Sequence, residues 1–102
     1  MATSQYRRHP LQLTIAEIFY ESGKLQYRYA RYLADDGSKW IRHGRFTAFH
    51  ENGHLASEGN YVDGLEDGVW QDFHESGRLA AEGRYEKGEE MGEWQYWDAD
   101  RI

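Results

Sequence analysis

The stretch that decides the fold is GVWQDFHESGRLAAEGRYEKGEEMG, residues 68–92, because its first 24 residues follow a near copy, GRFTAFHENGHLASEGNYVDGLED, at residues 44–67. Laid over one another, the two copies agree at 12 of 24 positions. The shared positions include Phe49/Phe73, His50/His74 and Glu51/Glu75, then Gly53/Gly77 and Leu55/Leu79, then Glu58-Gly59-x-Tyr61 and Glu82-Gly83-x-Tyr85. A third copy opens at Gly92, with Trp94 and Trp97 where the second has Trp70 and Phe73. A fixed period of this length marks a repeat architecture, in which each unit is too small to bury its apolar side alone and covers it with its neighbours.

Within each copy the pattern is that of a β-hairpin. Asn52-Gly53 and Ser76-Gly77 separate two strand-like runs, and glycine supplies the positive φ that a tight turn demands. Counting outward from a two-residue turn, Glu51 faces His54, His50 faces Leu55 and Phe49 faces Ala56. In the second copy Glu75 faces Arg78, His74 faces Leu79 and Phe73 faces Ala80. Further out, Phe46 falls opposite Gly59 and Trp70 opposite Gly83. An aromatic ring laid over a cross-strand glycine covers the backbone that the glycine leaves bare, which gives Gly59 and Gly83 a structural reason to stand in a strand. Leu79, Ala81, Gly83 and Tyr85 alternate onto the face of Trp70, while Phe73 and Ala80 point the other way. Asp63-Gly64 and Lys87-Gly88 supply the turns between successive hairpins.

The string G-x-W-x-x-F-x-E-S-G-x-L-x-x-E-G-x-Y-x-x-G resembles the variant MORN repeat of bacterial proteins, including the YwqK family of antitoxins. The resemblance covers residues 44–97 well and residues 16–43 loosely. It implies a structural and binding repeat with no catalytic set, and a toxin as the protein partner.

Upstream of the clear copies the same logic continues in degenerate form. Leu11, Leu13 and Ile15 alternate with the period of a strand. Ser22-Gly23 is a hairpin signal whose register pairs Tyr20 with Leu25, Ile18 with Tyr27 and Glu17 with Arg28, each apolar with apolar or acid with base. Asp36-Gly37 marks the next turn and faces Leu33 to Trp40 and Tyr32 to Ile41. A helix over residues 25–33 is the alternative, since Leu25, Tyr29 and Leu33 recur at spacings of four, but the segment is short, aromatic-rich and uncapped. The expected organisation is a flexible tail at 1–10, a degenerate hairpin at 11–43, repeats at 44–67 and 68–91, and a truncated repeat or cap at 92–102. The expected fold is all-β: an elongated antiparallel meander of tandem hairpins with eight to ten short strands, its turn and motif glycines being Gly23, Gly37, Gly53, Gly59, Gly77 and Gly83.

Composition bounds what such a sheet does. A chain of 102 residues buries about two thirds of its unfolded surface at best, so its apolar contacts must come from large side chains. The 8 tyrosines and 4 tryptophans provide them, each with one polar end. Without cysteine there are no disulfides and no thiolate metal sites, which fits a reducing compartment; no run is apolar enough to span a membrane, and a cytoplasmic location is expected. Charge is uneven: residues 1–43 hold seven basic and four acidic residues, residues 44–102 five and fourteen. The acidic repeats disfavour nucleic acid and anionic lipid and favour a basic protein partner.

The search for chemistry ends in structure. His50 and His74 recur beside the turns, but a metal needs three or four converging ligands, so polar rings at hairpin ends are the better reading. Glu58 and Glu82 would need a pocket and a raised pKa to act as general acids, and a flat sheet offers none. The Arg/Tyr interleaving in YRYARYL can be read as nucleic-acid stacking, but cross-strand packing with solvated arginines explains it more simply. The expected function is therefore non-enzymatic protein binding without cofactor or metal, through Glu58, Tyr61, Trp70, Glu82, Tyr85 and Trp94. By resemblance this would be the masking of a basic toxin. The alternative is a structural scaffold that self-associates through its sheet edges, as a homodimer for instance, or that contacts lipid.

Overall fold

The computed structural model describes residues 12–99 of the chain. The tail expected at 1–10, Leu11 at the start of the expected hairpin, and residues 100–102 lie outside the described residues. Seven antiparallel strands form one open sheet in chain order: β1 (Thr14–Phe19), β2 (Leu25–Leu33), β3 (Trp40–Phe49), β4 (Leu55–Val62), β5 (Leu65–Phe73), β6 (Leu79–Glu86) and β7 (Glu89–Tyr96). The meander of hairpins is as the period implies, and residues 25–33 are strand, not helix. The described strands are seven rather than eight to ten because the glycines that open each copy, Gly44, Gly68 and Gly92, lie inside β3, β5 and β7. Each strand runs through its copy boundary.

The two ends of the sheet use different turns. At one end are three-residue loops: His50 N–H donates to the His54 carbonyl at 2.8 Å, Gly53 N–H donates to the His50 carbonyl at 2.9 Å, and Gly53 has φ +95°. The loops closed by Gly23 and Gly77 have the same bonds, Tyr20 to Lys24 and His74 to Arg78. At the other end Asp63-Gly64 and Lys87-Gly88 are two-residue turns with φ of 49° and 91°, and of 52° and 85°. Positive φ at both positions is the turn whose twist matches that of the flanking strands.

The three-residue loops correct the register next to them. Phe49 faces Leu55 and Phe73 faces Leu79, so the expected partners Ala56 and Ala80 are displaced by one, as are the pairs drawn for His50, His74, Glu51 and Glu75. Tyr20 likewise pairs with Lys24, and Phe19 takes Leu25. One extra residue on the returning strand then restores the count, and Ile18–Tyr27, Glu17–Arg28, Phe46–Gly59 and Trp70–Gly83 pair as the sequence implies. Leu33–Trp40 and Tyr32–Ile41 pair as expected too.

A second irregularity repeats between hairpins. On β3, residues 43–45 stand opposite Ala30 alone; on β5, residues 68–70 stand opposite Gly59; on β7, residues 92–94 stand opposite Gly83. Two inserted residues preserve the alternation of side chains, whereas one would turn the rest of the strand inside out. The insertion kinks the strand and lays its aromatic residue down onto the neighbour. A β-carbon built on Gly59 would lie 2.2 Å from the Trp70 ring, and one on Gly83 would lie 2.1 Å from Trp94. The ring over each glycine thus comes from the following hairpin and not from the glycine's own hairpin partner. Phe46, in the first clear copy, follows a joint where Ala30 stands in place of the glycine, and it stacks beside Tyr29 instead, at 6.0 Å between centroids. The core is this row of rings: Phe46, Ala48 and Trp70 are buried, with Tyr27, Tyr29, Tyr61, Tyr85 and Trp94 packed against them.

Candidate functional site

Alternation sorts every side chain to one of two faces. The first carries Tyr27 and Tyr29 of β2, Phe46 of β3, Tyr61 of β4, Trp70 of β5, Tyr85 of β6 and Trp94 of β7. Their centroids follow one another at 5.5 Å (Phe46–Tyr61), 5.3 Å (Tyr61–Trp70), 6.0 Å (Trp70–Tyr85) and 5.2 Å (Tyr85–Trp94), all edge-to-face. That geometry sets the positive edge of one ring against the negative face of the next. Trp70 is closed off from solvent and its indole N–H donates to the Asn60 carbonyl at 3.1 Å. The Trp94 N–H is buried with no hydrogen-bond partner among the described residues. Burial raises the phenol pKa of Tyr61 against the lowering by Arg42, and burial, then Glu90 and Glu66, raise that of Tyr85.

The second face differs between the two halves of the sheet. In the first half its charges are matched: Arg28 bridges Glu17 at 2.8 Å, and Arg45 pairs with Glu58. From β5 to β7 the face presents Val69, Arg84 and Met91 in one cross-strand row, with Asp67, Glu82, Glu86, Glu89 and Glu93 around it. Val69 and Met91 are exposed by 47% and 42%, and Arg84 is the one cation in the group, so the patch is an apolar centre inside an acidic margin.

The six residues singled out in sequence therefore do not converge on one surface. Tyr61, Trp70, Tyr85 and Trp94 share the aromatic face, while Glu58 and Glu82 lie on the other; of the six, Glu82 stands free on the acidic patch and Glu58 is committed to Arg45. Val69, Met91, Glu86, Glu89 and Glu93 were missed, although the alternation Glu82, Arg84, Glu86 in β6 signals them once that strand's face is known.

The histidines have a repeated structural task. His50 Nε2 lies 2.7 Å from the Phe73 carbonyl and His74 Nε2 lies 2.7 Å from the Trp97 carbonyl, so each ring donates an N–H to the next hairpin; the Tyr20 hydroxyl does the same to the Phe49 carbonyl at 2.7 Å. Among the described residues no group of three or more His, Asp or Glu is placed to hold a metal ion, and no helix is long and apolar enough to cross a membrane.

The model of the MORN repeat variant family matches residues 14–31, 42–63 and 66–87, more than half of the chain. The first matched segment ends inside β2, and the other two end at Asp63 and Lys87, the first residues of the turns between hairpins. Neither a curated protein nor a solved structure matches the chain.

Proposed function

This chain belongs to the MORN repeat variant family, whose repeats are generally protein- or lipid-binding modules, and we propose that it is a non-enzymatic protein-binding module whose partner is a basic protein. The observation that carries this reading is the patch on β5–β7: exposed Val69 and Met91 enclosed by Asp67, Glu82, Glu86, Glu89 and Glu93. An apolar centre with a polar margin is the anatomy of a protein interface, and unmatched acids of one sign steer a basic surface toward it. The same acids repel anionic lipid, which favours protein over membrane. Tyr61, Trp70, Tyr85 and Trp94 pack together on the opposite face, behind the patch, and Glu58 is paired with Arg45 on the neighbouring strands.

The finer reading is antitoxin-like: in the cytoplasm the module occludes a basic toxin, whose active surface is covered by the patch. Affinity capture from the native host tests it, with the wild-type chain beside the Glu82→Lys/Glu86→Lys variant. A basic protein held by the wild type, released by salt and lost by the variant supports the reading. Retention of the same proteins by both chains refutes it. A second reading, a scaffold that self-associates, is favoured by the outer edges of β1 and β7, which pair with no further strand among the described residues; a molecular mass that rises with concentration would support it.

A further inference from the structure

An open groove of about 470 Å³ lies on the aromatic side of the other, basic half of the sheet, lined by Tyr29, Arg31, Lys39, Trp40, Arg42 and Asp63 among others. Arg31 and Arg42 are direct cross-strand partners on β2 and β3. Like charges placed opposite one another destabilise a sheet, so this pairing needs a compensating reason. No carboxylate supplies it: among the described residues neither arginine, nor Lys39, forms an ion pair, in a chain with 18 acidic residues. Asp63, the one acid lining the groove, accepts a hydrogen bond from the Tyr32 hydroxyl at 2.8 Å and lies 3.4 Å from His43.

The rings around the two guanidinium groups are already in use. Arg31 sits over Trp40 at 3.9 Å, and Arg42 over Tyr29 at 4.9 Å and Tyr61 at 5.5 Å. Stacking orders both side chains; Arg31 Nε also reaches Thr14 Oγ1 at 3.5 Å and Arg42 the Tyr61 hydroxyl, and the N–H groups that remain are what a ligand would meet. An oxyanion would therefore meet donors from two guanidinium groups held side by side. Among the lining residues three cations stand against one acid, with Asp36 acting on Lys39 from the adjoining turn, so the groove keeps a positive balance that suits an anion. We propose that this groove binds the phosphate group of a small soluble phosphate monoester, in a site separate from the acidic patch and independent of the partner assigned to it. A charged membrane cannot reach the same group without bringing anionic lipid against Glu66, Asp72 and Glu90, which share this face.

Inorganic phosphate and glycerol phosphate are the probes, each titrated into the isotope-labelled chain at constant ionic strength, with acetate and chloride as controls. Saturable amide shifts confined to residues around Tyr29–Arg31, Lys39–Arg42 and Asp63-Gly64 are expected for both phosphates. Arg31→Gln and Arg42→Gln should each weaken binding roughly tenfold or more, since each removes charge-assisted bonds. Binding should also weaken as pH falls below the second phosphate ionisation, near 6 to 7. Thermal melting separates binding from folding: each midpoint is compared with and without phosphate, and at one phosphate concentration the upward shift should be clearly smaller for Arg42→Gln than for the wild type, whatever the two resting midpoints are. Acetate as effective as phosphate, or a phosphate effect matched by chloride, overturns the proposal. So does binding to phosphatidylglycerol vesicles without any response to soluble phosphate.

Discussion

The indole of Trp70 rests on the backbone of Gly59, near enough that a β-carbon on the glycine would meet the ring at 2.2 Å. Gly59 belongs to β4 and Trp70 to β5, in different copies of the repeat, and the two are joined where residues 68–70 bulge against the glycine. Trp94 stands in the same relation to Gly83. The contact that defines the motif is thus the joint between hairpins, and it explains why the chain requires a bare backbone at one position per repeat.

Gly59→Ala should destabilise the chain by about 1–3 kcal/mol, the usual cost of forcing an extra carbon against a packed ring, and Gly83→Ala should do likewise. Asn60→Ala, on the exposed side of the same strand, should stay within about 0.5 kcal/mol of wild type. Denaturant midpoints measure all three, and a neutral Gly59→Ala would refute the joint.

The histidine donors should behave as ties between hairpins. His50→Ala and His74→Ala each remove one hydrogen bond to the following hairpin, at Phe73 and Trp97, worth about 0.5–1.5 kcal/mol. Native-state hydrogen exchange should localise the loosening to strands β4–β6 for His50→Ala and β6–β7 for His74→Ala. Uniform loosening, or none, contradicts the tie.

Lys87 occupies a left-handed conformation, φ +52°, at the first position of a two-residue turn. Asparagine adopts that conformation with less strain, so Lys87→Asn should stabilise the chain by a few tenths to about 1 kcal/mol. The thermal midpoint should rise by roughly 4–8 °C per kcal/mol in a domain of this size. Asp63→Ala, at the equivalent place, should lower it, because Asp63 also holds the Tyr32 hydroxyl.

Stability should fall at alkaline pH through two tyrosines. A phenol whose folded pKa is raised contributes its full stabilisation below the unfolded value, about 10, and that contribution is lost as pH rises through the folded value. Tyr61 and Tyr85 are both raised, burial being the first cause in each. Denaturation midpoints should therefore be insensitive to these groups near pH 8 and drop above about pH 10. Tyr61→Phe and Tyr85→Phe should each flatten the drop; variants that lose stability as steeply as wild type would exclude the assignment.

Much of this was readable in the chain because a hairpin is a local object. The 24-residue period, the turn dipeptides and the pairings Phe46–Gly59, Trp70–Gly83 and Leu33–Trp40 all follow from residues close in sequence. The error lay in the turns: Asn52-Gly53 reads as a two-residue loop, but Glu51 joins it, and Gly53 takes the left-handed third place. Dipeptide signals do not distinguish these two loop lengths, since both end on a glycine at positive φ.

What the amino-acid order determined by itself is the unit: two strands, an aromatic, a glycine, and their spacing. Only the folded sheet decided which glycine each ring covers and that Arg31 and Arg42 meet across a ladder. The reason is physical. Pairing within a hairpin is set by a turn of a few residues, whereas the contact between hairpins depends on a bulge that displaces one strand against its neighbour, and that displacement exists only once both strands are in place.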